Sequence, residues 1–199
     1  MIHNPFGFRP RNFANIFDTM IVYLVGFMGS GKSYAGKVLA DKLNVPHIDL
    51  DEWIENHFGK SVKEIFASDG ELGFRQKETF ALTELYRTFV TKGNITSKCA
   101  LPELVISTGG GTPCFNENMD WMNEHGLTIW LNPSIETLIS RLENEKDHRP
   151  LISGLSNEEL KKFIEHKMKE RSPYYSKALL KLENENIDFV TLLNNIKHA

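Results

Sequence analysis

The sequence predicts an α/β fold with three layers, α/β/α, in which a parallel sheet is sandwiched between helices. Three observations predict it. Short apolar runs alternate with helical patterns along the chain. The first of these runs, Ile21 to Val25, is continuously apolar, as in a parallel strand covered on both faces. A glycine-rich turn then joins it directly to a helical stretch, the signature of a βα unit.

Taken in order, Ile21–Val25 is the first strand and Lys32–Leu43 the first helix. Val45 to Leu50 reads as a second strand, interrupted early by Pro46. Helical patterns fill roughly Glu52 to Val90, with breaks near Gly59 and Gly70. Leu104–Ser107 is a third strand ending in Gly109, Gly110 and Gly111, and a helix near Glu117–Glu124 leads to a fourth strand, Leu127–Leu131. From Ser134 to Asn144 the pattern is helical, with Ser134 as N-cap and Ile135, Leu138, Ile139 and Leu142 on one face. Glu143 to Leu155 is polar with Pro150 and Gly154, so a loop is expected that lacks the apolar spacing to pin it to the core. Ser156 and Glu159 form a capping box for a helix running toward Arg171. Leu180 and Leu182 suggest a last strand, and Ile187 to Ile196 a closing helix.

With 199 residues, 41% of them hydrophobic, and no internal repeat or long linker, the chain suits one domain. Its net charge of -3 comes from dispersed acids and bases, which argues against a nucleic-acid partner. No apolar run approaches the ~20 residues of a membrane span. Cys99 and Cys114 are too few for a disulfide framework and are expected to be reduced, in the cytoplasm. Residues 1–19 read as a loosely ordered extension, with Met20 an alternative start; a monomer is expected.

Gly26-Phe27-Met28-Gly29-Ser30-Gly31-Lys32-Ser33 matches G-x-x-x-x-G-K-[ST] between a strand and a helix, the context the motif requires. The glycines let backbone N–H groups turn around phosphate oxygens, and the helix N-terminus adds a favourable dipole. Lys32 can reach the β and γ phosphates and Ser33 can ligate Mg²⁺. Nothing in the sequence suggests a structural partner for the Lys32 charge. Gly29, Ser30, Gly31, Lys32, Ser33 and Tyr34 are the expected ATP-binding segment.

Asp49 and Asp51 end the second strand, where alternation would put both carboxylates on one side, near the edge at which ligands bind in such sheets. Two acids capping the next helix explain the pair equally well. Arg75 offers a planar fork for a carboxylate, and Glu78, one turn on, could hold it. As an isolated match, that pair would read as a solvated surface pair. Gly109, Gly110 and Gly111 allow a ligand to lie against bare backbone, or form a plain loop.

Together the segments GFMGSGKS, DLD, FRQKE, STGGG, HRPLI and ERSPYY, in this order from about Met20 to Arg171, resemble the shikimate kinase family. The resemblance implies a five-stranded sheet in the order 2-3-1-4-5, a mobile lid over about residues 143–155, and transfer of the ATP γ-phosphoryl group to the 3-hydroxyl of shikimate. It implies Asp51 as contact of the substrate hydroxyl and catalytic base, and Asp49 with Ser33 at Mg²⁺. Arg75 and Arg171 would bind the shikimate carboxylate and Gly109 to Gly111 line the substrate. Phe66 and Phe74 would wall the pocket, though Phe66 alone reads as core. Arg149 would reach the ATP phosphates as the lid closes, and Arg141 lies near the place of an arginine that stacks on adenine. The stretch Leu182 to Ile187 lacks the basic residue often found near adenine. Two other readings remain open: another small-molecule kinase such as a gluconate kinase, and a non-catalytic ATP-binding regulator.

Overall fold

The computed structural model describes residues 20–92, 102–145, 151–183 and 187–197. The extension 1–19, Cys99 and Arg149 lie outside the described residues. In chain order the elements are β1 (Met20–Val25), α1 (Lys32–Leu43), β2 (His47–Asp49), α2 (Leu50–Phe58), α3 (Val62–Lys92) and β3 (Pro102–Ser107). A short 3₁₀ turn, Thr112–Cys114, precedes α4 (Asn118–Glu124) and β4 (Gly126–Leu131). Then come α5 (Ile135–Glu143), α6 (Asn157–Tyr175), β5 (Leu180–Leu182) and α7 (Phe189–Lys197).

All four strand pairings are parallel and the sheet order is β2-β3-β1-β4-β5, as the resemblance implies. The central strand β1 shows why its sequence is apolar throughout. Ile21, Tyr23 and Val25 pack on one face with residues of α2, α3 and α4, whereas Val22 and Leu24 pack on the other with α1 and α7. A third apolar cluster, around Phe27, Leu138, Leu142, Leu160 and Ile164, joins α5 and α6 beside the glycine-rich turn.

Local signals end the helices where the sequence places them. Asn44 closes α1 in the left-handed conformation, its N–H bonded to the Ala40 and Asp41 carbonyls. Gly59 closes α2 at φ 65°, and Gly70 at φ 70° breaks α3 into two helical pieces. Ser134 caps α5, and Ser156 and Glu159 form the reciprocal capping box of α6.

Two expectations are corrected. The second strand ends at Asp49, and Leu50 already belongs to α2, so Asp49 and Asp51 are not placed by strand alternation. Asp49 is instead the N-cap of α2, accepting a hydrogen bond from the Asp51 N–H at 3.1 Å. The segment after α5 is also not without an anchor. Ile152 is fully buried among Phe27, Leu138, Leu142, Leu160 and Ile164, which pins the far end of this loop to the third cluster.

Candidate active site

One cavity of about 790 Å³ opens along the carboxyl ends of β1, β2 and β3. At one end it is lined by Met28 to Tyr34, at the other by Phe66, Phe74, Arg75 and Arg171, with Asp49, Asp51 and Gly109 to Gly111 between. Every described residue expected at the site therefore meets in a single space.

The turn after β1 holds its shape through Gly26, Gly29 and Gly31, all at positive φ. Space is as restrictive as conformation, since a Cβ at Gly26 would lie 2.6 Å from the Leu131 carbonyl oxygen. Lys32 does have structural partners, contrary to the sequence-based expectation. Its Nζ donates to the Gly26 carbonyl at 2.9 Å and the Phe27 carbonyl at 2.8 Å, folding the ammonium back over its own loop. Arg141 braces the loop from α5, donating to the carbonyls of Gly29 at 3.2 Å and Ser30 at 3.3 Å. Tyr34 is 71% exposed at the cavity rim.

Where α1 begins, the Ser33 hydroxyl donates to Asp49 Oδ2 at 2.7 Å. A hydroxyl and a carboxylate side by side at the phosphate cradle form the hard-oxygen donor set that suits Mg²⁺ held jointly with substrate phosphates. Among the described residues no group of three or more His, Cys, Asp or Glu side chains is arranged to hold a metal ion by itself, which such a shared site does not require.

Asp51 sits deeper. Its Oδ1 is shut off from solvent and lacks a hydrogen-bond partner among the described residues, so this oxygen is available to a bound hydroxyl. Burial, aided by the nearby Glu78 and Asp49 carboxylates, pushes its carboxyl up from 3.8 to about 7, against the pull of Lys32 and Arg75.

Arg75, on α3, is only 8% exposed. Its Nη1 donates to Glu78 at 2.8 Å and its Nη2 to Glu71 at 3.0 Å. The Phe115 ring lies 4.3 Å from its Cζ, with Phe74 at 5.4 Å and Phe66 at 6.0 Å. The Phe66 and Phe74 rings pack tilted against each other with centroids 4.6 Å apart, and the partly exposed Phe66 extends the apolar wall. Glu78 is fully buried and also accepts from Thr112, which fixes the α3 wall to the turn after the three glycines. Burial raises the Glu78 carboxyl, while Arg75 and Thr112 oppose the rise.

The glycines are close-approach positions. A Cβ at Gly109 would meet Asp51 at 2.9 Å and Glu78 at 3.0 Å, and at Gly110 it would lie 3.2 Å from Arg171 Nη1. Tyr175 donates to the Gly110 carbonyl at 2.5 Å, one turn along α6 from Arg171. Cys114 is a free, partly buried thiol whose pKa burial raises to about 11, which disfavours the thiolate.

Sequence reasoning missed Glu71, Thr112, Phe115 and Tyr175. Glu71 carried a signal, since it stands four residues before Arg75 on a helical pattern. Tyr175 carried a similar one, four residues after Arg171 in the ERSPYY segment, whereas Thr112 and Phe115 meet α3 from a distant part of the chain and emerge only in three dimensions. Leu182, Ile187 and Phe189 also line the cavity, so the two described ends of the stretch read as lacking a basic contact supply apolar wall.

The family model described as shikimate kinase matches residues 28–193. A shikimate kinase of Parabacteroides distasonis is 39% identical over 178 residues, covering 89% of this chain and 95% of that protein. One from Bacteroides thetaiotaomicron is 42% identical over 157 residues, covering 79% and 82%. The crystal structure of a shikimate kinase from Bacteroides thetaiotaomicron superposes with a TM-score of 0.76 at 36% identity, covering 90% of this chain and 97% of that one. A shikimate kinase from Acinetobacter baumannii, solved in complex with shikimate, superposes with a TM-score of 0.71 at 30% identity, covering 89% and 90%.

Proposed function

The chain belongs to the shikimate kinase family, and on that premise we propose that it transfers the γ-phosphoryl group of ATP to the 3-hydroxyl of shikimate, yielding shikimate 3-phosphate and ADP. That reaction places it in aromatic amino acid (chorismate) biosynthesis. The observation that carries the reading is the single cavity joining the phosphate cradle to the Arg75 and Arg171 end, with Asp51 between them. An anionic acceptor at the arginines would present a hydroxyl to Asp51 and, beyond it, to the phosphates.

In this reading Gly29 to Tyr34 hold ATP, with Lys32 leaving its loop carbonyls for the β and γ phosphates. Arg75 and Arg171 bind the shikimate carboxylate. Gly109, Gly110 and Gly111 let the ring lie on bare backbone, and Phe66 and Phe74 flank it. Asp51 orients the 3-hydroxyl and accepts its proton as the oxygen attacks the γ-phosphorus and the bond to the β–γ bridging oxygen breaks. A base whose pKa lies near 7 is matched to that task at neutral pH. Mg²⁺, held by Ser33 with Asp49 nearby, would neutralise phosphate charge when bound. Arg149 completes the site from the lid, bringing positive charge and excluding water.

We take residues 20–199 as the kinase domain and 1–19 as an extension outside it. The reading also carries a cytoplasmic monomer, with no nucleic-acid or membrane partner; among the described residues no helix is long and apolar enough to cross a membrane. A coupled ADP-release assay with shikimate tests the function. Turnover with gluconate instead would favour the other sugar-acid kinase, and ATP binding without turnover would favour a regulator.

A further inference from the structure

The two carboxylates on Arg75 are not equivalent. Glu78 is fully buried and tied to Thr112, so it is a fixed part of the wall. The Glu71 side chain is 59% exposed and directly follows Gly70, the residue that interrupts α3. The second informative atom is Arg75 Nε, which is shut off from solvent and has no hydrogen-bond partner among the described residues. Nε and Nη2 share one edge of the guanidinium, the fork that a carboxylate can grip with both oxygens. Glu71 takes the Nη2 half of that fork and leaves Nε empty.

From this we infer that Glu71 is a resident carboxylate on the acceptor's own seat, holding Nη2 in the empty site and giving way to the carboxylate of the incoming substrate. The inference rests on the proposed seat at Arg75. Exchanging one carboxylate for another leaves the charge around Arg75 unchanged, and Nε gains the partner it lacks. Glu78 stays in place throughout, so the guanidinium keeps its position during the exchange. An acceptor without a carboxylate has nothing to offer Nε and leaves Glu71 where it is. Glu71 thereby holds the Nη2 half of the fork in the empty site, at a modest cost in affinity that falls only on acceptors with a carboxylate.

Calorimetric titration of shikimate and of its methyl ester into the full chain and its Glu71 variants tests this. Glu71→Ala should tighten shikimate binding by about 2- to 5-fold, the size expected for an ion pair whose one partner is mostly in water. Glu71→Gln should tighten it in the same direction, and as the isosteric variant it preserves the test if the alanine form folds poorly. Glu71→Asp keeps the charge but shortens the reach to Nη2, so it should also tighten shikimate. The ester should bind all four proteins alike. Unchanged or weaker shikimate binding by the variants, beside intact binding by the wild type, overturns the role of Glu71 and leaves the proposed function standing. A tightening shared by the ester, or an aspartate variant identical to wild type, overturns it too, because either result reports a general change in the site or its field. Failure of the wild type to bind shikimate removes the proposed function itself, and this inference with it.

Discussion

The Cα of Gly111 lies against the Arg75 guanidinium so closely that a Cβ there would stand 2.6 Å from both terminal nitrogens. The glycine and the arginine therefore form one seat. Gly111→Ala should displace Arg75 and raise KM for shikimate, with KM for ATP little changed. Arg75→Lys should do the same, because an ammonium cannot reproduce a two-pronged contact with a carboxylate. Steady-state kinetics in both substrates checks this. If the two KM values rose together, Arg75 would be a structural residue of α3.

Lys32→Ala should reduce kcat by about 10²-fold or more, the scale of losing one charge-stabilising donor in the transition state. It should also cost some stability, since the ammonium serves the Gly26 and Phe27 carbonyls. Losing about 1 kcal/mol corresponds to a fall of roughly 2–4 °C in Tm for a chain of this size. Melting curves beside kinetics separate the two effects. A collapse of Tm in step with activity would make Lys32 a structural residue first.

Burial lifts the Asp51 carboxyl from 3.8 to about 7. Its folded form therefore holds a proton that the unfolded chain releases between pH 3.8 and about 7. The stability this group contributes is complete below pH 3.8 and is lost as the pH rises through about 7. Asp51→Asn removes that loss. In metal-free protein the Tm advantage of Asp51→Asn over wild type should grow from pH 5 to pH 8, while turnover disappears. An advantage that stays flat with pH would mean the carboxyl is not raised.

Much of this was legible in the sequence, and the failures have physical causes. The strand and helix sequence followed from unbroken apolar runs such as Ile21 to Val25, which only a doubly covered parallel strand needs. For Asp49 and Asp51 the sequence leaves two readings open, strand alternation and capping of the next helix, and the structure takes the second. A helix cap, and not strand alternation, brings them together. Ile152 was hidden because one buried side chain in a polar loop makes no period. Phe115 and Thr112 were hidden because their partners on α3 lie 40 and 34 residues away, distances that no local pattern reports.

Ile152, anchored in the third apolar cluster, lies three residues after Arg149 in the sequence. Arg149→Ala should lower kcat more than it weakens ATP binding, because its charge is most useful as the phosphoryl group departs. Ile152→Ala should instead lower Tm, at about 2–5 kcal/mol for a buried isoleucine. Comparing single-turnover rates, ATP binding and melting curves for the two variants distinguishes chemistry from anchoring. Equal losses of kcat and ATP affinity in Arg149→Ala would contradict the lid role.

The central claim is that this cavity phosphorylates shikimate, and an ADP-release assay with purified protein, ATP and Mg²⁺ tests it most directly. Shikimate should give turnover that depends on both substrates, with a phosphorylated product of the expected mass, while gluconate gives none and Asp51→Asn abolishes the signal. ADP release that shikimate does not stimulate, from folded protein that binds ATP, would contradict the account.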